Sequence, residues 1–130
     1  MKEVTAAVIF KNGKVLITRR SPSEKMVGYW EFPGGKVEKG ETPQECLVRE
    51  LREELNLITK ADDIVYKSEY VYDHGSFRIL AISTEILSGD IQLSVHDEYA
   101  WVLLNELVDY QLLPADRPIA EYLKNTYVAK

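Results

Sequence analysis

The chain has 130 residues, 45% of them hydrophobic and 10% aromatic, enough to bury one core, so a single domain over residues 1–130 is expected rather than a disordered segment. Sixteen basic residues against 21 acidic ones leave a net charge of −5, which argues against binding long nucleic acid through its phosphates. The single cysteine, Cys46, excludes an intramolecular disulfide framework and fits a reducing compartment.

The first apolar run, residues 4–10, is too short for a membrane span or a signal-peptide core, so a cytoplasmic protein without a membrane partner is expected. This run and residues 15–18 flank Asn12-Gly13, the strongest two-residue turn signal, and together they predict an antiparallel hairpin. Residues 29–32 (Tyr-Trp-Glu-Phe) read as a short aromatic strand closed by Pro33-Gly34-Gly35, where the chain must turn. Thr42 is a good N-cap, Pro43 suits the first helical position and Glu45 stands three residues after Thr42, which together form a capping box and predict a helix start. At roughly 100° per residue, Leu47, Val48, Leu51 and Leu55 form an apolar stripe while Glu50, Glu53 and Glu54 gather on another side. Asn56 is expected to end the helix in the left-handed conformation.

Residues 64–72 and 77–86 read as strands around Asp73-His74-Gly75-Ser76, a second hairpin, and residues 100–104 as a further strand. Pro118 fits the first turn of a closing helix with Ile119, Tyr122 and Leu123 at helical spacing. Strands on both sides of one helix, followed by a second helix, predict an α/β domain with a mixed sheet between helices. His74 and His96 are too few and too far apart in sequence for a zinc site and are read as surface residues, and Cys46 as a structural thiol.

Like charges at i, i+3 and i+4 cost a few tenths of a kcal/mol per pair in an isolated helix, so Glu50, Glu53 and Glu54 call for a positive partner. A hard divalent cation with oxygen ligands, Mg²⁺ or Mn²⁺, is the simplest one. The plainer alternative is a solvated helix whose glutamates are neutralised by Arg49 and Arg52.

The spacing Gly35, five residues, Glu41, seven residues, then Arg49-Glu50-Leu51-Arg52-Glu53-Glu54-Leu55-Asn56-Leu57 resembles the Nudix box of nucleotide diphosphate hydrolases. Only Asn56 departs from it, where the family carries Gly. Ile17-Thr18-Arg19-Arg20, the segment from Trp30 to Lys36, and Leu113-Pro114-Ala115-Asp116 are similar, in order, to segments of the MutT-like subgroup. The resemblance implies an α/β/α sandwich and hydrolysis of a nucleoside triphosphate to the monophosphate and pyrophosphate by attack of water. It implies that Glu50, Glu53 and Glu54 bind metal with the carbonyl of Gly34, that Glu50 or Glu53 is the base, and that Arg49 orients a box glutamate. Glu41 would support the loop and first helical turn. Substrate would meet Arg20, Glu31, Phe32, Pro33, Gly34 and Asp116; Trp30 and Phe32 share a face on which a base could stack, the alternative for Trp30 being a core aromatic next to an exposed arginine.

The family usually adds a Glu directly before a His ahead of the last core strand. Val95 stands in that place before His96, so Asp97 or Glu98 is expected to substitute, unless that loop is only solvated surface. At Asp116 MutT carries Asn. An ionised Asp only accepts hydrogen bonds, unless its pKa is raised, which suits the exocyclic amine of cytosine as well as the donors of 8-oxoguanine. The expected substrates are therefore 8-oxo-dGTP or, alternatively, CTP or a modified dCTP, hydrolysed by a monomer or homodimer. A non-catalytic nucleotide-binding module would be expected to lose box glutamates, and hydrolysis of ADP-ribose or dinucleoside polyphosphates to require segments absent from this sequence.

Overall fold

The computed structural model describes residues 1–73 and 75–127, so the reading of His74 as a surface residue lies outside the described residues. In chain order the strands are β1 (Lys2–Val8), β2 (Phe10–Lys11), β3 (Lys14–Arg20), β4 (Trp30–Glu31), β5 (Ile58–Tyr72), β6 (Gly75–Ser88) and β7 (His96–Leu103). Helix α1 (Pro43–Leu55) lies between β4 and β5, and α2 (Arg117–Tyr127) follows the short 3₁₀ turns Leu104–Asp109 and Pro114–Asp116.

The first apolar run divides instead of forming one arm of a hairpin. Thr5, Ala6, Ala7 and Val8 are all buried, a two-sided burial that suits a strand inside a sheet, and β1 accordingly runs parallel to β6, with Val4 opposite Ile79. Only β2 turns back onto β3, pairing Phe10 with Val15. The turn itself is as the sequence predicts, since Asn12 (φ 52°) and Gly13 (φ 78°) both occupy the left-handed region that a two-residue hairpin turn demands.

The second hairpin closes Tyr72 against Gly75, so Gly75 and Ser76 belong to the strand rather than the turn. Its first arm begins at Ile58, six residues earlier than the alternation suggests, and its register shifts between Ala61 and Ile64 and between Ile64 and Tyr66. These bulges break the period of two on which the sequence reading relies. Strand β7 likewise starts at His96 rather than Ala100, because it pairs antiparallel with β3 up to the opposed Arg20 and His96.

Two sheets result, a mixed one ordered β1-β6-β5 and an antiparallel one in which β3 joins β2, β4 and β7. Alternating side chains send Ala7, Ile9, Leu16 and Ile82 toward Leu47, Leu51 and Leu55 of α1. On the opposite face Ala6, Val8, Ile17 and Ile79 meet Ile119, Ala120 and Leu123 of α2. The α/β/α sandwich is thus realised, with two sheets in its middle layer. Val48 is only half-buried, and Cys46 takes its place among the buried residues of α1. No helix among the described residues is long and apolar enough to cross a membrane.

Candidate active site

Local chemistry fixes where the α1 carboxylates point. Thr42 Oγ1 accepts from Glu45 N–H (3.1 Å), and Glu45 Oε1 accepts from Thr42 N–H (2.9 Å), the reciprocal capping box. At the other end Asn56 takes φ 61° and its N–H donates to Arg52 O (3.1 Å). With Leu47, Leu51 and Leu55 fully buried, each contributing about 1.5–3 kcal/mol of transfer free energy, the helix cannot rotate; Glu50 is aimed at the loop of residues 33–37, and Glu54 lines the same cleft.

That loop lies along the edge of β1 opposite β6. Thr5 N–H donates to Gly35 O (2.8 Å), Ala7 N–H to Pro33 O (2.7 Å), and Val37 N–H to Glu3 O (3.0 Å). A Cβ on Gly35 would stand 2.6 Å from Glu50 Oε2, so glycine is what lets the Glu50 carboxylate rest against the backbone. Beneath it Cys46 Sγ sits 3.3 Å from Lys36 O and 3.5 Å from Gly35 O. Burial pushes this thiol up to about 11, which leaves it an inert structural group.

Arg49 organises the outer carboxylates. It donates from Nε and NH2 to both oxygens of Glu41 (3.0 and 2.8 Å), and from NH1 to Glu50 Oε1 (2.9 Å) and Glu53 Oε1 (3.2 Å). The Arg49 hydrogen bonds, together with the Glu38 N–H, hold Glu41 well below the usual carboxylate range. Glu54 is the opposite case: burial, and then the charges of Glu50 and Glu31, raise its proton affinity, and its Oε1 is buried with no hydrogen-bond partner among the described residues. Glu53 is different again, with a side chain 59% exposed against 16% for Glu50.

Glu50, Glu54 and Gly34 line a cleft of about 640 Å³ together with Phe32, Tyr72, Ala115 and Asp116. Arg20, Glu31 and His96 line it too, and the Glu31 charge acts on both Glu54 and Asp116. Arg49, Glu53 and Pro33 stand outside this lining, Pro33 being buried against β1. Trp30 is also outside it and belongs to the core, edge-to-face with Tyr110 at 5.1 Å between centroids. Phe32 belongs to the same core but, unlike Trp30, also lines the cleft.

Asp116 is buried, and its Oδ2 accepts from Phe32 N–H at 3.0 Å. Burial first, and then the negative charge of Glu31, push its carboxyl up to about 8. At neutral pH it therefore keeps its proton and offers a donor as well as an acceptor. This has a measurable cost. Between the ordinary value of 3.8 and about 8 the folded chain holds a proton that the unfolded chain gives up, so stability falls as pH rises through this window and levels off above it. Asp116→Asn removes that component, and the difference in Tm, variant minus wild type, should grow steadily from pH about 4 to about 8. Thermal melts across this range check the sign, and a difference independent of pH would contradict it.

Neither Mg²⁺ nor Mn²⁺ needs a closed protein cage: Mg²⁺ usually keeps several waters and takes one or two carboxylates plus substrate phosphates. This matters because, among the described residues, no three His, Cys, Asp or Glu side chains are gathered into a ready site. The partnerless Glu54 oxygen, Glu50 beside it and an all-oxygen donor set fit such an ion.

A family model described as NUDIX domain matches residues 1–124. The chain belongs to the Nudix family. It is 36% identical over 121 residues to a CTP pyrophosphohydrolase of Escherichia coli (strain K12), covering 93% of this chain and 90% of that one. It is 32% identical over 114 residues to the 8-oxo-dGTP diphosphatase of the same strain, covering 88% of each. The crystal structure of a MutT protein from Methanosarcina mazei Go1 superimposes with a TM-score of 0.86 at 27% identity, covering 95% of this chain and 92% of that one.

Seen as a Nudix site, the cleft departs from the sequence reading most at His96. It is not a surface residue: its side chain is 3% exposed, with Nε2 2.8 Å from Glu31 Oε2, while Arg20 NH1 donates to Glu31 Oε1 at 3.0 Å. The register shift between Arg19 and Arg20 accompanies this inward turn. Asp97 and Glu98 instead meet Arg19, at 2.7 and 3.2 Å, and neither lines the cleft, whereas Val95 does. The sequence reading also omitted Tyr72, Lys36 and the segment from Ser23 to Met26, all of which line this Nudix cleft. For Ser23–Met26 the signal is their position beside Arg20, and for Lys36 its place at the end of the segment from Trp30 that resembles the subgroup; Tyr72 carries none.

Proposed function

We propose that this Nudix domain hydrolyses a nucleoside triphosphate to the monophosphate and pyrophosphate with the aid of Mg²⁺ or Mn²⁺. The observation that carries this reading is a single cleft whose lining joins the Glu50 and Glu54 carboxylates, which could meet a cation, to the buried Asp116 carboxyl and Phe32, which could meet a base. Retention of Glu50, Glu53 and Glu54 favours catalysis over a module that only binds.

Glu50, Glu53 and Glu54, with the Gly34 carbonyl, would hold the cation. When bound, it neutralises the polyphosphate and the charge that develops during phosphoryl transfer, which a cleft lined by carboxylates could not do alone. Glu50 is the group we assign as base, because it faces the cleft while Glu53 is largely exposed. Arg49 fixes one Glu50 oxygen at 2.9 Å, which positions the carboxylate without quenching its other oxygen. Arg20, held by Glu31 and by the Lys25 carbonyl, lines the cleft with Lys25 and Lys36 as a cation that could meet the substrate's sugar and phosphates.

A protonated Asp116 beside the Phe32 backbone matches a base that presents a donor next to an acceptor. The Hoogsteen edge of 8-oxoguanine does so with N7–H and O6, and the role would be that of a MutT-like enzyme removing oxidised nucleotides. Cytosine does so with its N4 amine and N3, and the relative named CTP pyrophosphohydrolase supports that second reading. A nucleotide panel assayed with Mg²⁺ and Mn²⁺ in ¹⁸O-labelled water tests the proposal. Pyrophosphate and a nucleoside monophosphate are the expected products. Release of orthophosphate and a diphosphate would show that the substrate lies differently, and absence of turnover across the panel would leave only a binding module.

A further inference from the structure

Asp116 sits at the end of the 3₁₀ turn Pro114–Asp116, an element too short to hold a buried carboxyl in place through its own hydrogen bonds. What fixes it comes from β5. Tyr72 Oη accepts from the N–H of Ala115 at 3.0 Å, and Ser68 Oγ donates to the C=O of Ala115 at 3.2 Å. Ser68 and Tyr72 are four residues apart on a strand and therefore share a face; they lie beyond the register shifts of β5, where the pairing with β6 is regular from Lys67 to Tyr72. Ala115 is buried and brings no polar side chain of its own, so the two hydroxyls hold both polar groups of the residue immediately before Asp116. From the other side Phe32 N–H takes Asp116 Oδ2, while Asp116 N–H closes onto Leu113 O at 2.9 Å.

We propose that Ser68 and Tyr72 are positioning residues for base selection: by gripping Ala115 from β5 they set where the Asp116 carboxyl stands in the cleft, and hence which base edge it can pair with. The inference rests on the reading of Asp116 as the base-recognising group. It also separates two jobs at Tyr72, whose ring lines the cleft while its hydroxyl holds Ala115. Ser68 does only the second, since it lies outside the cleft lining.

The experiment measures kcat and KM for two substrate pairs that differ only on the base, CTP with UTP and 8-oxo-dGTP with dGTP, in wild type, Ser68→Ala, Tyr72→Phe, Asp116→Ala and each β5 variant combined with Asp116→Ala. Each β5 substitution removes one neutral hydrogen bond while Tyr72→Phe keeps the ring. In the pair that wild type discriminates, each should lower the kcat/KM ratio about 2- to 10-fold, through KM, with kcat at saturation changed less than about twofold. In the Asp116→Ala background neither should change the ratio further, because the group they position is gone. Equal losses for both members of a pair, or no loss in either, would overturn the proposal, even with a lowered Tm. If Asp116→Ala itself leaves the ratio intact, the base reading is what has failed, and the β5 grip loses its role with it.

Discussion

Glu50→Gln is expected to lower kcat/KM by roughly a thousandfold, about 4 kcal/mol of transition-state stabilisation. The amide keeps the shape of the side chain and can still meet Arg49, but it removes both a cation ligand and the assigned base from the cleft. Binding of Mn²⁺ alone, followed by its paramagnetic resonance signal, should weaken in parallel, so the loss can be read without turnover. Tm should change little, because neutralising Glu50 relieves its repulsion of the buried Glu54 while giving up part of an Arg49 network that still holds Glu41. Glu53→Gln provides the contrast: with its side chain 59% exposed, it should cost far less, on the order of tenfold. Equal losses in the two variants would refute the distinction drawn between them.

The largest effect on stability is expected at Gly34. A Cβ there would overlap the carbonyl oxygen of Thr5 and stand 2.7 Å from its carbonyl carbon, and both are backbone atoms of β1 that no rotamer change can move. Gly34→Ala must lift the loop of residues 33–37 from β1 and strain the bonds from Thr5 N–H to Gly35 O and from Ala7 N–H to Pro33 O. A cost of about 3 kcal/mol or more is expected from overpacking against a fixed backbone, read as a lowered midpoint in urea unfolding. Gly13→Ala is a useful comparison, since nothing lies within 4 Å of its added Cβ and only its positive φ resists substitution; it should cost only about 1 kcal/mol. A Gly34→Ala variant as stable as that one would show that the loop yields freely.

The parts of this molecule that were legible in the sequence are those whose causes are local. The capping box at Thr42 and Glu45, the left-handed Asn56 and the leucine stripe of α1 all follow from residues within one helix. The Asn12-Gly13 turn is equally local, whereas of the three glutamates expected to converge only Glu50 and Glu54 line the cleft and Glu53 stands outside it. What was not legible depends on partners far along the chain. Residues 4–10 look like one strand, but burial on both faces commits β1 to β6 and leaves only Phe10 and Lys11 for the hairpin. His96 reads as part of a charged loop, yet its ring is enclosed because Glu31, sixty-five positions away, supplies its partner. Asp116 reads as an ionised acceptor, and it is burial, with the charge of Glu31 beside it, that raises its proton affinity. Asp97 and Glu98 carry the charge a ligand needs but face Arg19. Nothing in their composition could have told inward from outward.

The bulges of β5 have a consequence for how copies of this protein meet one another. This 15-residue strand ends the mixed sheet, and a long, regular free edge offers unpaired backbone groups to any other extended chain. Here the two shifts of register between Ala61 and Tyr66 interrupt the edge near its middle, and Lys60, Asp62, Asp63, Lys67 and Glu69 place charge along it. A second chain could continue the hydrogen-bond ladder only by matching both irregularities and setting those charges against its own, so edge-to-edge stacking is unfavourable even where the protein is concentrated. The irregularity that hides β5 from a reading of alternation thus also guards its edge against self-association.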